Sequence, residues 1–150
     1  MTLYKLRLDF AFSKVKDYMK LVIDDQEIKP ANGIASYHSE ITLPHKLFIK
    51  TSNKDNDGTL LDVNGNVLQD TCIRLVNVDI NGVRPNADFI RRWPKVLVGG
   101  PGSNRIIYSH YWGFNGMIEL DFRGDNLTKW LMRTNSYKDD SWNKWTNEYH

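Results

Sequence analysis

From Tyr4 to Phe12 the chain alternates strictly: Tyr4, Leu6, Leu8, Phe10 and Phe12 take the even positions, and Lys5, Arg7 and Asp9 interleave. A period of two sends every second side chain to the same face, so the stretch is a strand with one buried side. "MIELDF" near the other end repeats the pattern, with Ile118, Leu120 and Phe122 facing one way and Glu119 and Asp121 the other. Between them lie "MKLVI" (19–23), "HKLFIKT" (45–51), "CIRLVNVDI" (72–80), "KVLV" (95–98) and "RIIYSHYW" (105–112). All are short, rich in β-branched and aromatic residues and bounded by turn formers, which predicts strands.

The turns point the same way. Asn-Gly occurs at 32–33, 64–65, 81–82 and 115–116, and this dipeptide accepts the two successive positive φ angles of a tight hairpin. Asn64-Gly65, between "TLLDV" and "NVLQD", and Asn115-Gly116, between "YSHYWGF" and "MIELDF", are read as hairpins. After Asn81-Gly82 a longer connection allows Phe89, Ile90 and Trp93 one helical turn. "DNLTKWLMR" (125–133) fits a helix capped by Asp125 or Asn126 and fits a strand equally, and "SKVKDYMKLV" is ambiguous. The predicted fold is all-β: an antiparallel, jelly-roll-like β-sandwich over residues 1–136, with at most one or two short helices. Residues 137–150 form a polar tail whose Tyr137, Trp142, Trp145 and Tyr149 predict docking on the body or on a partner.

A chain of 150 residues supports one core that buries about 68–70% of the unfolded surface. The net charge of +2 gives no field for nucleic acid, and the small cluster of Arg91, Arg92, Trp93 and Lys95 reads as a solvated loop with one anchoring tryptophan. Cys72 is the only cysteine, so no intrachain disulfide forms. The first residues contain no continuous apolar run of the signal-peptide kind, and no stretch approaches the roughly 20 apolar residues of a membrane helix. The expected location is the cytoplasm at synthesis, with a virion as a possible destination.

"NKDNDGTLLDVNGN" (53–66) begins like a calcium loop. Asn53, Asp55 and Asp57 alternate and Gly58 follows. An EF-hand then needs a bidentate Glu at its twelfth position, where this chain has Asn64, and its flanks read as strands rather than helices. A looser ion site from Asn53, Asp55, Asp57 and Asp62 is the calcium candidate. Plain turns solvated by acidic residues are the simpler reading, and no cofactor is otherwise implied.

Catalytic signals are sparse. The four histidines lack zinc-ligand spacing, Ser109 and His110 are strand neighbours that point apart, and no phosphate or dinucleotide loop occurs. Carboxylates abound, but none stands out as a glycosidase pair. The aromatic stretch "YSHYWGFNG" supplies Tyr111 and Trp112 as candidate ligand-binding residues, with Trp93 as a third. Trp112 belongs with the core-facing residues and Tyr111 with the exposed ones. The leading expectation is a non-enzymatic structural protein that packs with other subunits, or with copies of itself, into a larger assembly such as a virus or phage particle. The alternative is a carbohydrate-binding module, calcium-assisted or not, and the third is a small enzyme.

Overall fold

The computed structural model describes residues 2–99 and 104–135. Twelve strands and two short helices follow in the order β1 (Tyr4–Ser13), β2 (Lys20–Ile23), β3 (Gln26–Ile28), β4 (Ile34–Ile41), β5 (His45–Ser52), β6 (Thr59–Leu61), β7 (Val67–Asp70), β8 (Cys72–Ile80), α1 (Ala87–Arg92), β9 (Lys95–Val98), β10 (Arg105–Ile107), β11 (Tyr111–Trp112), β12 (Gly116–Phe122) and α2 (Leu127–Asn135). They form an all-β sandwich. One sheet has the order β11-β8-β1-β4, the second β10-β9-β12-β5-β2-β3, and among the described residues β6 and β7 pair only with each other. Every pairing is antiparallel.

Alternation decides which face is buried. In β1 the even residues Leu6, Leu8, Phe10 and Phe12 are buried, as are Ile118, Leu120 and Phe122 in β12. These two rows meet Leu21, Leu47, Ile49, Ile73 and Leu75 in one apolar core. At the Phe122 end of β12, both helices add aromatic rings. Trp93 lies 4.9 Å from Phe122 and 5.6 Å from Trp130, and Phe89 lies 5.3 Å from Trp130, all in edge-to-face pairs. Such pairs add roughly 0.5–1.5 kcal/mol beyond the area they bury.

Both helices are capped by asparagine. Asn86 Oδ1 accepts from Phe89 N at 2.9 Å and Asn126 Oδ1 from Lys129 N at 2.9 Å, so the segment after Asn126 is helix rather than strand, and Asn126, rather than Asp125, is the cap. Among the described residues no helix is long and apolar enough to cross a membrane.

Two turn expectations are corrected. Asn64-Gly65 does lie in the β6–β7 hairpin, but only Gly65 has positive φ, and Asp62 N bonds to Asn66 O across a three-residue loop. Asn115-Gly116 makes no hairpin. β11 belongs to one sheet and β12 to the other, and Asn115 instead pairs its amide with Lys54, accepting from Lys54 N at 2.9 Å and donating to Lys54 O at 3.1 Å. For the same reason 105–112 is not one strand: the chain leaves the larger sheet after Ile107 and enters the smaller one at Tyr111.

Candidate functional site

The crossing from β10 to β12 leaves an open cleft of about 670 Å³ between the sheets' ends, lined among others by Tyr111, Gly113, Phe114, Arg105, Leu97 and Asp70. Asp70 organises one wall. Its Oδ1 accepts from Lys54 Nζ at 2.6 Å and from Thr59 Oγ1 at 2.6 Å, while its Oδ2 accepts from the Tyr111 hydroxyl. Burial pushes the carboxyl up, but hydrogen bonds from Lys54, Thr59 and Tyr111 outweigh that push and hold it below its ordinary 3.8. Tyr111 moves the opposite way: burial and the Asp70 carboxylate raise its hydroxyl well above 10.0. At neutral pH Asp70 is therefore a carboxylate and Tyr111 a neutral phenol.

Gly113 gives this wall its depth. A Cβ built there would lie 2.8 Å from Asp70 Oδ2 and 3.1 Å from Lys54 Nζ, so any larger residue would displace the ion pair. The Tyr111 ring, 38% exposed, is thus fixed by its hydroxyl and open on the cleft side.

The calcium candidates separate. Among the described residues no group of three or more His, Cys, Asp or Glu stands where it could hold a metal ion. Asp62 turns its carboxylate onto its own loop, accepting from Asn64 N at 2.8 Å, Asn66 N at 2.9 Å and Asn66 Nδ2 at 3.1 Å. Asn53 adopts a left-handed φ of 67° and borders a different hollow beside Tyr18 and Glu27. Asp55 and Asp57 are exposed, with Asp55 O accepting the turn bond from Gly58 N at 3.0 Å. What this segment turns inward is Lys54, 14% exposed against Asp70 at 15%.

Of the ligand-binding candidates, Tyr111 lines the cleft, whereas Trp93 and Trp112 are fully buried. Trp112 packs 6.4 Å from Phe10 and donates from Nε1 to Ser109 O at 3.0 Å. Trp93 donates to Asp121 O at 3.1 Å. Neither indole has a face left for a ligand: Trp112 is the core-facing residue of β11, and Trp93, at the C-terminal cap of α1, is enclosed by Phe122 and Trp130. Tyr137, Trp142, Trp145 and Tyr149 lie outside the described residues.

The basic cluster around Trp93 also divides. Arg91 pairs with Asp88 at 2.6 Å, and Lys95 is buried, its Nζ donating to Ile90 O at 2.7 Å, Trp93 O at 2.9 Å and Tyr108 O at 3.0 Å. Burial lowers its pKa to about 7. The three carbonyls oppose that shift, because a neutral amine would turn a lone pair toward one of them. Lys95 ties the end of α1 to the β10–β11 connection and offers no charge to a nucleic acid.

Sequence reasoning passed over Lys54 and Asp70. Lys54 stands inside the acidic stretch, where metal-ligand spacing draws attention to its neighbours. Asp70 is 16 and 41 residues from its partners Lys54 and Tyr111, a separation without a local signal. For Gly113 the signal was present, since a glycine beside Trp112 marks the close approach of another chain segment.

No family model and no curated protein matches the chain. Among solved structures, the selenomethionine form of vCBM60, described within a study of two families of calcium-dependent carbohydrate-binding modules linked by circular permutation, aligns at a TM-score of 0.44 and 11% identity, covering 79% of this chain and 90% of that one. vCBM60 in complex with galactobiose aligns at 0.41 and 10%, covering 78% and 97%. At these values the likeness carries no inference about ligands.

Proposed function

We propose that the protein is a non-catalytic binding module that takes a carbohydrate in the Tyr111 cleft. One observation carries the reading: an exposed aromatic ring, immobilised by Asp70, in an open cleft of about 670 Å³ with mixed apolar and polar walls. Sugar rings present an apolar face ringed by hydroxyls. A fixed tyrosine provides the matching flat surface without losing rotamer freedom on binding. Phe114 and Leu97 extend the apolar wall, and Arg105, which also lines the cleft, brings hydrogen-bond donors.

Hydrolysis by paired carboxylates requires a second acid across the cleft. Asp70 is the one carboxylate lining it among the described residues, and its oxygens already accept from three donors. Held ionised at neutral pH, it has no proton to give a leaving group. Lys54 takes the position beside Asp70 that a divalent cation would need, so the binding we propose is independent of metal.

Screening the pure protein against neutral and acidic oligosaccharides, followed by titration calorimetry on a positive, tests the reading. Binding is expected with and without EDTA, and Tyr111→Ala should weaken it about tenfold or more, the equivalent of ~1.4 kcal/mol. No binding across the set, or binding indifferent to Tyr111→Ala, would remove the proposal.

A further inference from the structure

One residue of the cleft breaks the pattern that fills the larger sheet. Directly paired residues of neighbouring strands point to the same face, and the register aligns Ile49, Ile118, Leu97 and Arg105 across β5, β12, β9 and β10. Ile49 and Ile118 are fully buried, and Leu97 is half-buried against the core. The row therefore runs along the inner face of the sheet, and its last member is an arginine. Arg105 is exposed and lines the Tyr111 cleft. An inward charge on an edge strand can serve only to block further strand pairing. What sets Arg105 apart is the other sheet's contribution to the same cleft, the Tyr111 ring held by its hydroxyl.

Its charge is uncompensated. Among the described residues no carboxylate pairs with Arg105. Asp70, the carboxylate of the lining, is matched by Lys54 Nζ at 2.6 Å, and its other oxygen accepts from Tyr111. Glu119 and Asp121 alternate with the buried residues of β12 and so point to the outer face, where Glu119 pairs with Lys46 at 3.3 Å. The guanidinium of Arg105 is thus the net charge of the cleft.

We propose that the Tyr111 cleft takes an anionic oligosaccharide, with Arg105 holding a carboxylate or sulfate on a sugar whose ring lies against Tyr111. The inference rests on the carbohydrate reading of that cleft and adds its specificity. A guanidinium presents parallel N–H donors that match two oxygens of one acidic group, and it is more weakly hydrated than an ammonium. A neutral sugar can accept from the same donors but leaves the positive charge unanswered.

Titration calorimetry of the full chain against tetrasaccharides of glucose, galactose and mannose tests this, each supplied neutral, with C6 carboxylates and with C6 sulfates. In low salt at least one acidic form should bind about tenfold or more tighter than its neutral counterpart. That preference should shrink in high salt. A gain for either acidic form supports the proposal, and the larger gain identifies the acid. Arg105→Gln should abolish the preference and Arg105→Glu should reverse it, whereas Tyr111→Ala should weaken neutral and acidic forms alike. Equal binding of neutral and acidic forms that still depends on Tyr111 overturns the anionic preference and leaves the carbohydrate reading standing. An acidic preference that survives Arg105→Gln overturns the role of Arg105. No binding of any form removes both. Arg105 is exposed, and an unchanged circular dichroism spectrum verifies that its variants are folded.

Discussion

The sandwich body and the β6–β7 arm are built from the same kind of strand and bury opposite things. In the body, alternation turns Leu8, Phe10, Ile118 and Leu120 inward, and all four are fully buried. In the arm, Leu61 and Val67 are register partners and stand in solvent, while the polar pair Thr59 and Asp70 turns toward the body and closes on Lys54. An alternating pattern sorts residues only where a second layer covers one face. Among the described residues the arm has no second layer, so what it buries is its charged root. The body folds by removing apolar surface from water, and the arm is attached by a satisfied ion pair.

The largest expected effect lies in the body. Trp93→Ala removes a buried ring from the aromatic cluster with Trp130 and Phe122, and urea unfolding should show a loss of about 3–5 kcal/mol. A loss below ~1 kcal/mol would mean that this end of the core is not close-packed.

Gly113→Ala acts on the join. The added carbon meets Asp70 Oδ2 at 2.8 Å and Lys54 Nζ at 3.1 Å, so a cost of about 1–3 kcal/mol is expected. Carbohydrate binding should fall with it if the cleft and the ion pair share a wall.

The two regions also differ in how they respond to pH. Asp70 titrates below 3.8 in the folded chain, so its contribution is present above that value and is lost as pH falls through the lowered pKa. Burial lowers the Lys95 pKa in the folded chain from 10.5 to about 7, against the three carbonyls that accept from its ammonium. Between those values the unfolded chain holds a proton that the folded chain lacks, and stability should rise with pH. Chemical denaturation from acid to pH 10 should show both slopes; Asp70→Asn should flatten the acid one and Lys95→Met the alkaline one.

The smallest effect belongs to the arm. Val63→Ser, at a fully solvated position, should change folding stability by less than ~0.5 kcal/mol. A larger loss would mean that the arm packs on its own body.

Much of the body was legible from residue patterns. β8 and β9 occupy 72–80 and 95–98 as expected, because long apolar alternation and β-branched runs report burial directly. β4 escaped, since its inward row mixes Ala35, Tyr37 and Ile41 with Ser39, and the exposed Ile34 breaks the alternation. The β2–β3 turn escaped too. Asp24 and Asp25 take φ of 49° and 62° without a glycine, relying on aspartate's tolerance of the left-handed region. At the site, the exposure of Tyr111 followed from its opposition to Trp112. The Lys54–Asp70–Tyr111 cluster did not, because it is assembled by contacts between segments far apart in sequence. Acidic spacing around Lys54 drew attention to an ion from solvent, while the chain supplies the cation itself.

The most direct test of an arm joined to the body by its own ion pair is a double-mutant cycle on Lys54→Met and Asp70→Asn, read by urea unfolding. Asp70→Asn and Lys54→Met should each destabilise the protein, and the pair should show a coupling energy of about 1–3 kcal/mol. Strictly additive single effects, with no coupling, would contradict it.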